Sequence, residues 1–283
     1  MSATVSRAHP AAHRGAIGWL LFSVAFTALW FSFIVMFPEV QATGALSVVT
    51  RVIIHTVILT GLWLGLARTD FDAGTRIKVW LVIAVAFTAW LAIVWWLAID
   101  GAFRPRPGRG VPAIPIAIFL PVLLGLPLLL RSERVGAVLD ATPAYWLVGV
   151  QAYRVFGGIF LVAWSRGDLS GTFALPAGNG DVLVGLLALP VAYLLYSGAA
   201  SGRRAAIAWN VLGLVDFAIA IGIGVLSAPG PLQLIVPDRP NAQLGNFPTV
   251  MIPAFAVPSS ILLHALSLRQ LRRLARGAHG GRH

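Results

Sequence analysis

The sequence predicts an all-α membrane helix bundle of about eight transmembrane helices. Hydrophobic residues make up 58% of the 283-residue chain and charged residues only 11%, where soluble domains carry roughly 25% charged residues. Mean hydropathy is +0.84. The apolar runs are continuous for ~20 residues and do not alternate, which suits spanning helices and not barrel strands. In hydrocarbon the backbone has no water to bond, so each crossing must satisfy its own N–H and C=O groups.

Eight runs fit, at 16–37, 46–67, 79–99, 111–130, 145–164, 181–197, 205–226 and 250–268. The first follows a polar tail with Arg7 and Arg14, and is too long, without a small-residue cleavage site, for a cleavable signal. The second carries Arg51 and His55, and the third is rich in tryptophan. The fourth opens with Ile114-Pro115 and ends at Arg131. The fifth has Arg154 at its middle, and the sixth follows a Gly- and Pro-rich stretch ending at Asp181. The seventh carries Asn210 and Asp216, and the eighth runs from Ile252-Pro253 past His264 into an arginine-rich tail. Trp80, Trp146 and Trp164 sit near run ends, as interfacial anchors do. The longest loop is 227–247, and no soluble domain is visible.

The organisation reads as a cytoplasmic tail (1–15), a first four-helix half (16–130), a cytoplasmic connector (131–144), a second half (145–268) and a basic cytoplasmic tail (269–283). Order and spacing match between the halves, and Ile114-Pro115 to Arg131 echoes Ile252-Pro253 to Arg269. That echo suggests two parallel four-helix repeats.

Charge orients the chain. A cytoplasmic N-terminus places Arg68, Arg76, Lys78, Arg131, Arg134, Arg203, Arg204 and the C-terminal arginines inside. Only Arg104, Arg106, Arg109, Arg166 and Arg239 then face outward. The net charge of +11 follows from this topology and implies no nucleic-acid partner. The expected partner is the lipid bilayer, and a homo-oligomer or membrane complex remains open. The absence of cysteine excludes disulfides, thiolate nucleophiles and Cys-based metal sites. No Walker sequence, H-E-x-x-H or G-x-S-x-G is present. Lys78 is the only lysine and lies at a run boundary, which excludes a retinal Schiff base within a span.

Arg154 and Asp216 carry the functional argument. Charges at membrane depth are costly and mark interiors, pathways or partners. Each lies about halfway along a run that crosses in the same direction, so their depths match and an ion pair is geometrically allowed. Gln151 shares the helical face of Arg154, and Asn210 lies beside the Trp209, Gly213 and Asp216 stripe. The pair reads either as a structural lock or as an anion or proton site, with Asp216 the titrating member because arginine does not readily deprotonate. Asp181 reads as a helix N-cap or, alternatively, as part of a re-entrant segment beside Arg154.

The residues Arg154-x-x-Gly157, Phe173-Ala174-x-Pro176-Ala177-Gly178-x-Gly180-Asp181-x-x-x-Gly185 and Trp209-Asn210-x-x-Gly213-x-x-Asp216 form an ordered signature. It resembles an uncharacterised family of bacterial multi-pass integral membrane proteins, over roughly residues 151–269. The resemblance implies a bacterial inner-membrane location and no particular reaction.

Arg51, His55 and His264 are secondary polar candidates. Two membrane histidines on separate helices suit a b-type haem, but His264 lies beyond its span's centre by about 7 Å at 1.5 Å per residue. No cofactor is favoured; haem b through His55 and His264, or a quinone near Arg154, is the alternative. The leading expectation is a small secondary transporter or solute-permeation protein with a midplane site at Arg154, Asp216, Gln151, Asn210 and Asp181. A redox subunit and a non-catalytic scaffold or accessory subunit are the others. No catalytic residue is nominated.

Overall fold

A computed structural model describes residues 8–39, 44–104, 113–229 and 232–280. All regular structure among the described residues is helical. Helix α1 is Ala8–Met36, α2 is Ala45–Leu66, α3 is Ala73–Ile99 and α4 is Ala113–Arg131. A short α5 (Glu133–Ala141) occupies the segment read as a connector. The fifth crossing is one column in three parts: α6 (Ala144–Gly149), a 3₁₀ segment (Val150–Gly158) and α7 (Ile159–Ser165). Helix α8 is Gly171–Tyr196 and α9 is Gly202–Leu226. The last crossing joins a π-helical segment (Ile252–Ala256) to α10 (Val257–Gly280). Eight of these units are long and apolar enough to cross a membrane.

Local chemistry sets several boundaries. Asp72 caps α3 by accepting from the Thr75 N–H at 3.0 Å, Ser132 caps α5 through Val135, and Ser170 caps α8 through Thr172. Gly167 and Gly198 stop the fifth and sixth crossings with φ of 84° and 66°, a region other residues avoid. The sixth crossing departs from expectation. Residues 171–181 are helix, so α8 begins ten residues before Asp181, and Asp181 lies inside it rather than at its N-cap. Pro176 and Pro190 are accommodated within the helix, as bundled membrane helices allow. Residues 8–15 and 269–280 continue α1 and α10 as helix. Arg106, Arg109 and the outermost tail residues lie outside the described residues.

The centre of the bundle is built by the later crossings. Over its most apolar stretch the eighth crossing is 56% buried, whereas the first, third and fourth are each 17% buried. Helix α8 is the hub: α9, α1 and the 3₁₀ segment all pack on it. Val148, Val184, Ala188, Trp209 and Leu271 close one core where α6, α8, α9 and α10 meet. Val94, Ala98, Ala117, Met251 and Phe255 form another, tying α3 and α4 to the π segment. The end of α10 stitches this bundle to α5. Arg269 donates to the carbonyls of Leu129 and Ser132, at 2.5 Å and 2.9 Å, and Gln270 donates to those of Leu139 and Thr142, both at 2.6 Å. The carbonyls of Leu129, Leu139 and Thr142 lie at helix ends and gain a donor in this way, whereas that of Ser132 also accepts from the Gly136 N–H.

Candidate functional site: an ion cluster at the bundle centre

Arg154 projects from the 3₁₀ segment, where the tighter winding brings the chain close to α8. Gly185 makes that approach feasible, because a Cβ there would collide with the Val155 backbone. Gly157 likewise leaves room for the Asp181 side chain. The guanidinium then reaches two carboxylates on two different helices. Its Nε donates to Asp181 Oδ1 at 2.8 Å, and its Nη2 lies 2.8 Å from the same oxygen. Nη2 also donates to Asp216 Oδ2 on α9. Nη1 faces His264 Nε2 on α10 at 3.1 Å and the Gly213 carbonyl at 3.5 Å. Each of the three guanidinium nitrogens therefore has at least one acceptor. The Phe217 ring lies beneath, 3.9 Å from Cζ to its centroid, adding a desolvated cation–π contact. Arg154 is 2% exposed.

The donor–acceptor polarity fixes the state of His264. Arginine only donates, so Nε2 must accept and carries no proton. Nδ1 then carries it and donates to Asn210 Oδ1 at 2.9 Å. The Asn210 amide nitrogen donates onward to the Ala206 carbonyl at 2.8 Å and to Ser267 Oγ at 3.0 Å. The result is a one-way chain from Arg154 through neutral His264 to Asn210. Gly213 admits the imidazole, since a Cβ there would overlap its Nε2. Gly180 does the same for Asp216, whose Oδ1 sits where that Cβ would be. Trp209 packs on His264 at 4.8 Å and ties α9 to α8 through its Nε1–H to the Val184 carbonyl.

The structure thus brings together Arg154, Asp181, Asp216, Asn210 and His264. Gln151 is fully buried on the same segment, yet neither its amide nitrogen nor its oxygen has a hydrogen-bond partner among the described residues. His55 stands apart. It bonds Thr88 Oγ1 at 3.0 Å and stacks on Phe87. His264 has both ring nitrogens engaged, which leaves no lone pair for haem iron and does not fit an axial pair with His55. Among the described residues no group of three or more His, Cys, Asp or Glu is placed to hold a metal ion.

Arg51 is the second buried guanidinium. With Tyr153, Arg154, Asp181 and Ser260 it lines a cavity of about 20 Å³. The π segment forms another wall of that cavity through Ile252 and Ala256. Two crossings therefore leave α geometry at the cluster, a departure that recurs at functional sites. Sequence reasoning missed Phe217, Ser267 and the Gly213 carbonyl. The signal for them was spacing: Gly213, Asp216 and Phe217 share one helical stripe, and Ser267 is three residues past His264.

Outside the spans, Asp238 accepts a hydrogen bond from the Ser170 hydroxyl, which holds its carboxyl below the ordinary value. Asn241 Oδ1 accepts from the Ser170 backbone N–H at 3.1 Å, so the last loop is pinned to the start of α8.

No curated protein and no solved structure matches the chain. One family model does, over residues 111–272, a stretch that contains the whole Arg154 cluster and excludes Arg51 and His55. The chain, a multi-pass membrane protein by its eight apolar crossings, belongs to that family, described as a domain of unknown function (DUF8737).

Proposed function

We propose that the protein is a small secondary transporter or solute-permeation protein whose polar site is the Arg154 cluster, with Asp181 and Asp216 as its titrating members. One observation carries this. A single arginine at mid-span holds two carboxylates from two other helices, at the point where the fifth and eighth crossings abandon α geometry. A pure packing core does not need that concentration of charge, and isolated charges at such depth are selected against. Arg154 is the fixed positive charge. The two carboxylates exchange a proton, each through the oxygen that Arg154 does not use. Asn210 and His264 hold the guanidinium in register, and Gln151 is a buried polar contact beside it. The Lys/Arg bias supports both termini on the cytoplasmic side of a bacterial inner membrane.

The test is reconstitution in liposomes with an internal pH indicator. Inward gradients of monoanions, monocations or neutral polyols are applied in turn. The wild type is expected to move protons with one of these classes, and Asp216→Asn to abolish that movement. Proton movement by none of them would overturn the proposal.

A second reading, a non-catalytic scaffold, is favoured by the engagement of all three Arg154 nitrogens with acceptors of the protein itself. Arg154→Met combined with Asp216→Leu separates the two readings. Retained proton-coupled movement in that variant would remove the cluster from any transport role.

A further inference from the structure

We propose that the cavity beside Asp181 binds a small monovalent anion, anchored by Arg51 and entering together with one proton. This rests on the transport reading above and names the class of solute that reading leaves open.

Arg51 is 6% exposed, and its Nε is buried with no hydrogen-bond partner among the described residues. Neither Asp181 nor Asp216 forms a salt bridge with it; both are spent on Arg154. A buried guanidinium with its counter-charge nearby but no hydrogen bond to it is costly. The same protein gives every nitrogen of Arg154 an acceptor, so the contrast lies in the site and not in the residue type. Arg51 projects into the small cavity with Tyr153 and Ser260, whose hydroxyls lie 2.5 Å apart. Only one of those two hydroxyl hydrogens is used between them, so the other is free to donate. The cavity therefore offers a guanidinium and a hydroxyl donor.

At about 20 Å³ it accommodates one water-sized occupant. A halide or a single carboxylate oxygen fits that description; a tetrahedral oxyanion does not. Halide and carboxylate share the chemistry, and the experiment distinguishes them.

Charge balance supplies the proton. The groups that face the cluster are Arg51 from α2, Tyr153 and Arg154 from the 3₁₀ segment, Asp181 from α8, Asp216 from α9 and His264 from α10. With both arginines and both aspartates ionised, the cluster is neutral. A monoanion alone would leave a buried net charge of minus one. Taking up one proton restores neutrality. His264 does not receive it, because its free lone pair is turned onto Arg154. Asp181 does: it lines the cavity, and its Oδ2 is not bonded to Arg154. The only bond formed is the carboxyl O–H, and the new hydroxyl becomes a further donor to the anion. Release reverses both events.

The test uses the full chain in lipid nanodiscs. Chloride and formate are titrated separately against a gluconate background, in a weakly buffered solution carrying a pH indicator. Saturable binding of either anion is expected, with one proton taken up per anion and a roughly tenfold gain in affinity for each unit fall in pH while the site is deprotonated. Chloride binding identifies a halide occupant, and formate binding alone identifies a carboxylate; both support the proposal. Arg51→Gln should weaken binding at least tenfold. If that variant does not fold, Tyr153→Phe with Ser260→Ala, which removes the hydroxyl donors and leaves the charges, should weaken it instead. No saturable binding to the folded wild type, or binding indifferent to these substitutions, would overturn the proposal. Proton movement in liposomes driven only by a neutral solute or a cation would overturn it while leaving the transport reading intact. Anion binding with no flux of any kind would do the reverse.

Discussion

Replacing Arg154 with Met probes the cluster most sharply. The substitution removes one positive charge and leaves Asp181 and Asp216 at 8% and 7% exposure. Breaking a buried ion pair by removing one partner costs about 3–5 kcal/mol. Here two carboxylates lose the same partner, and His264 Nε2 and the Gly213 carbonyl lose a donor, each orphan adding about 1–3 kcal/mol. These terms share one network and do not simply add. A loss of at least about 4 kcal/mol is expected, a large part of the roughly 5–15 kcal/mol that holds a domain folded. The double variant Arg154→Met/Asp216→Leu restores charge balance, because Arg51 remains opposite Asp181. It should recover more than half of the loss. The assay is denaturant unfolding of both purified variants in the same detergent. A single-variant loss below about 1 kcal/mol, or a double variant no more stable than the single, would mean that Arg154 does not hold the two carboxylates as a buried ion cluster.

Other expectations follow from the same geometry. Gly180→Ala places a methyl group onto Asp216 Oδ1 and should destabilise by about 1–3 kcal/mol, seen as a lowered unfolding midpoint. The nitrogen-15 NMR spectrum of His264 should show the neutral form with the proton on Nδ1; a proton on Nε2 would contradict the chain from Arg154 to Asn210. Trp209→Phe removes the N–H bond to the Val184 carbonyl and should cost about 1 kcal/mol, again read from unfolding. Asp238 has a lowered folded pKa, so its contribution is present above the unfolded carboxylate value and lost as pH falls through the folded one. Hydrogen exchange at the start of α8 should therefore rise in acid, and Ser170→Ala should remove that pH dependence.

The membrane bundle and the Arg154–Asp216 contact were legible because a lone charge in an apolar run has few ways to be stable. Asp181 was harder. Its approach is rich in glycine and proline, which reads as a loop in water. In this bundle Gly178 and Gly180 instead admit Leu161 and Asp216, and the helix runs straight through them. In a bilayer, uncovered irregular backbone is the costlier option. His264 invited a comparison with His55 because both are histidines at depth. Its partner is decided by Gly213, whose missing Cβ lets the imidazole reach Arg154. The 3₁₀ and π segments left no local mark beyond Gly157-Gly158 and Pro253, since their winding is set by what packs on them. Arg51 lies outside the family match, and only the packing of α2 places it on the same cavity as Asp181.

Everything proposed for this site depends on Arg154 holding both carboxylates at once. The most direct test is recoupled solid-state NMR in lipid bilayers, between the Arg154 guanidinium nitrogens and the side-chain carboxyl carbons of Asp181 and Asp216. Contact-range couplings to both carbons, within about 4 Å, are predicted. A coupling to only one of them, or to neither, would show that Arg154 does not bridge the two carboxylates.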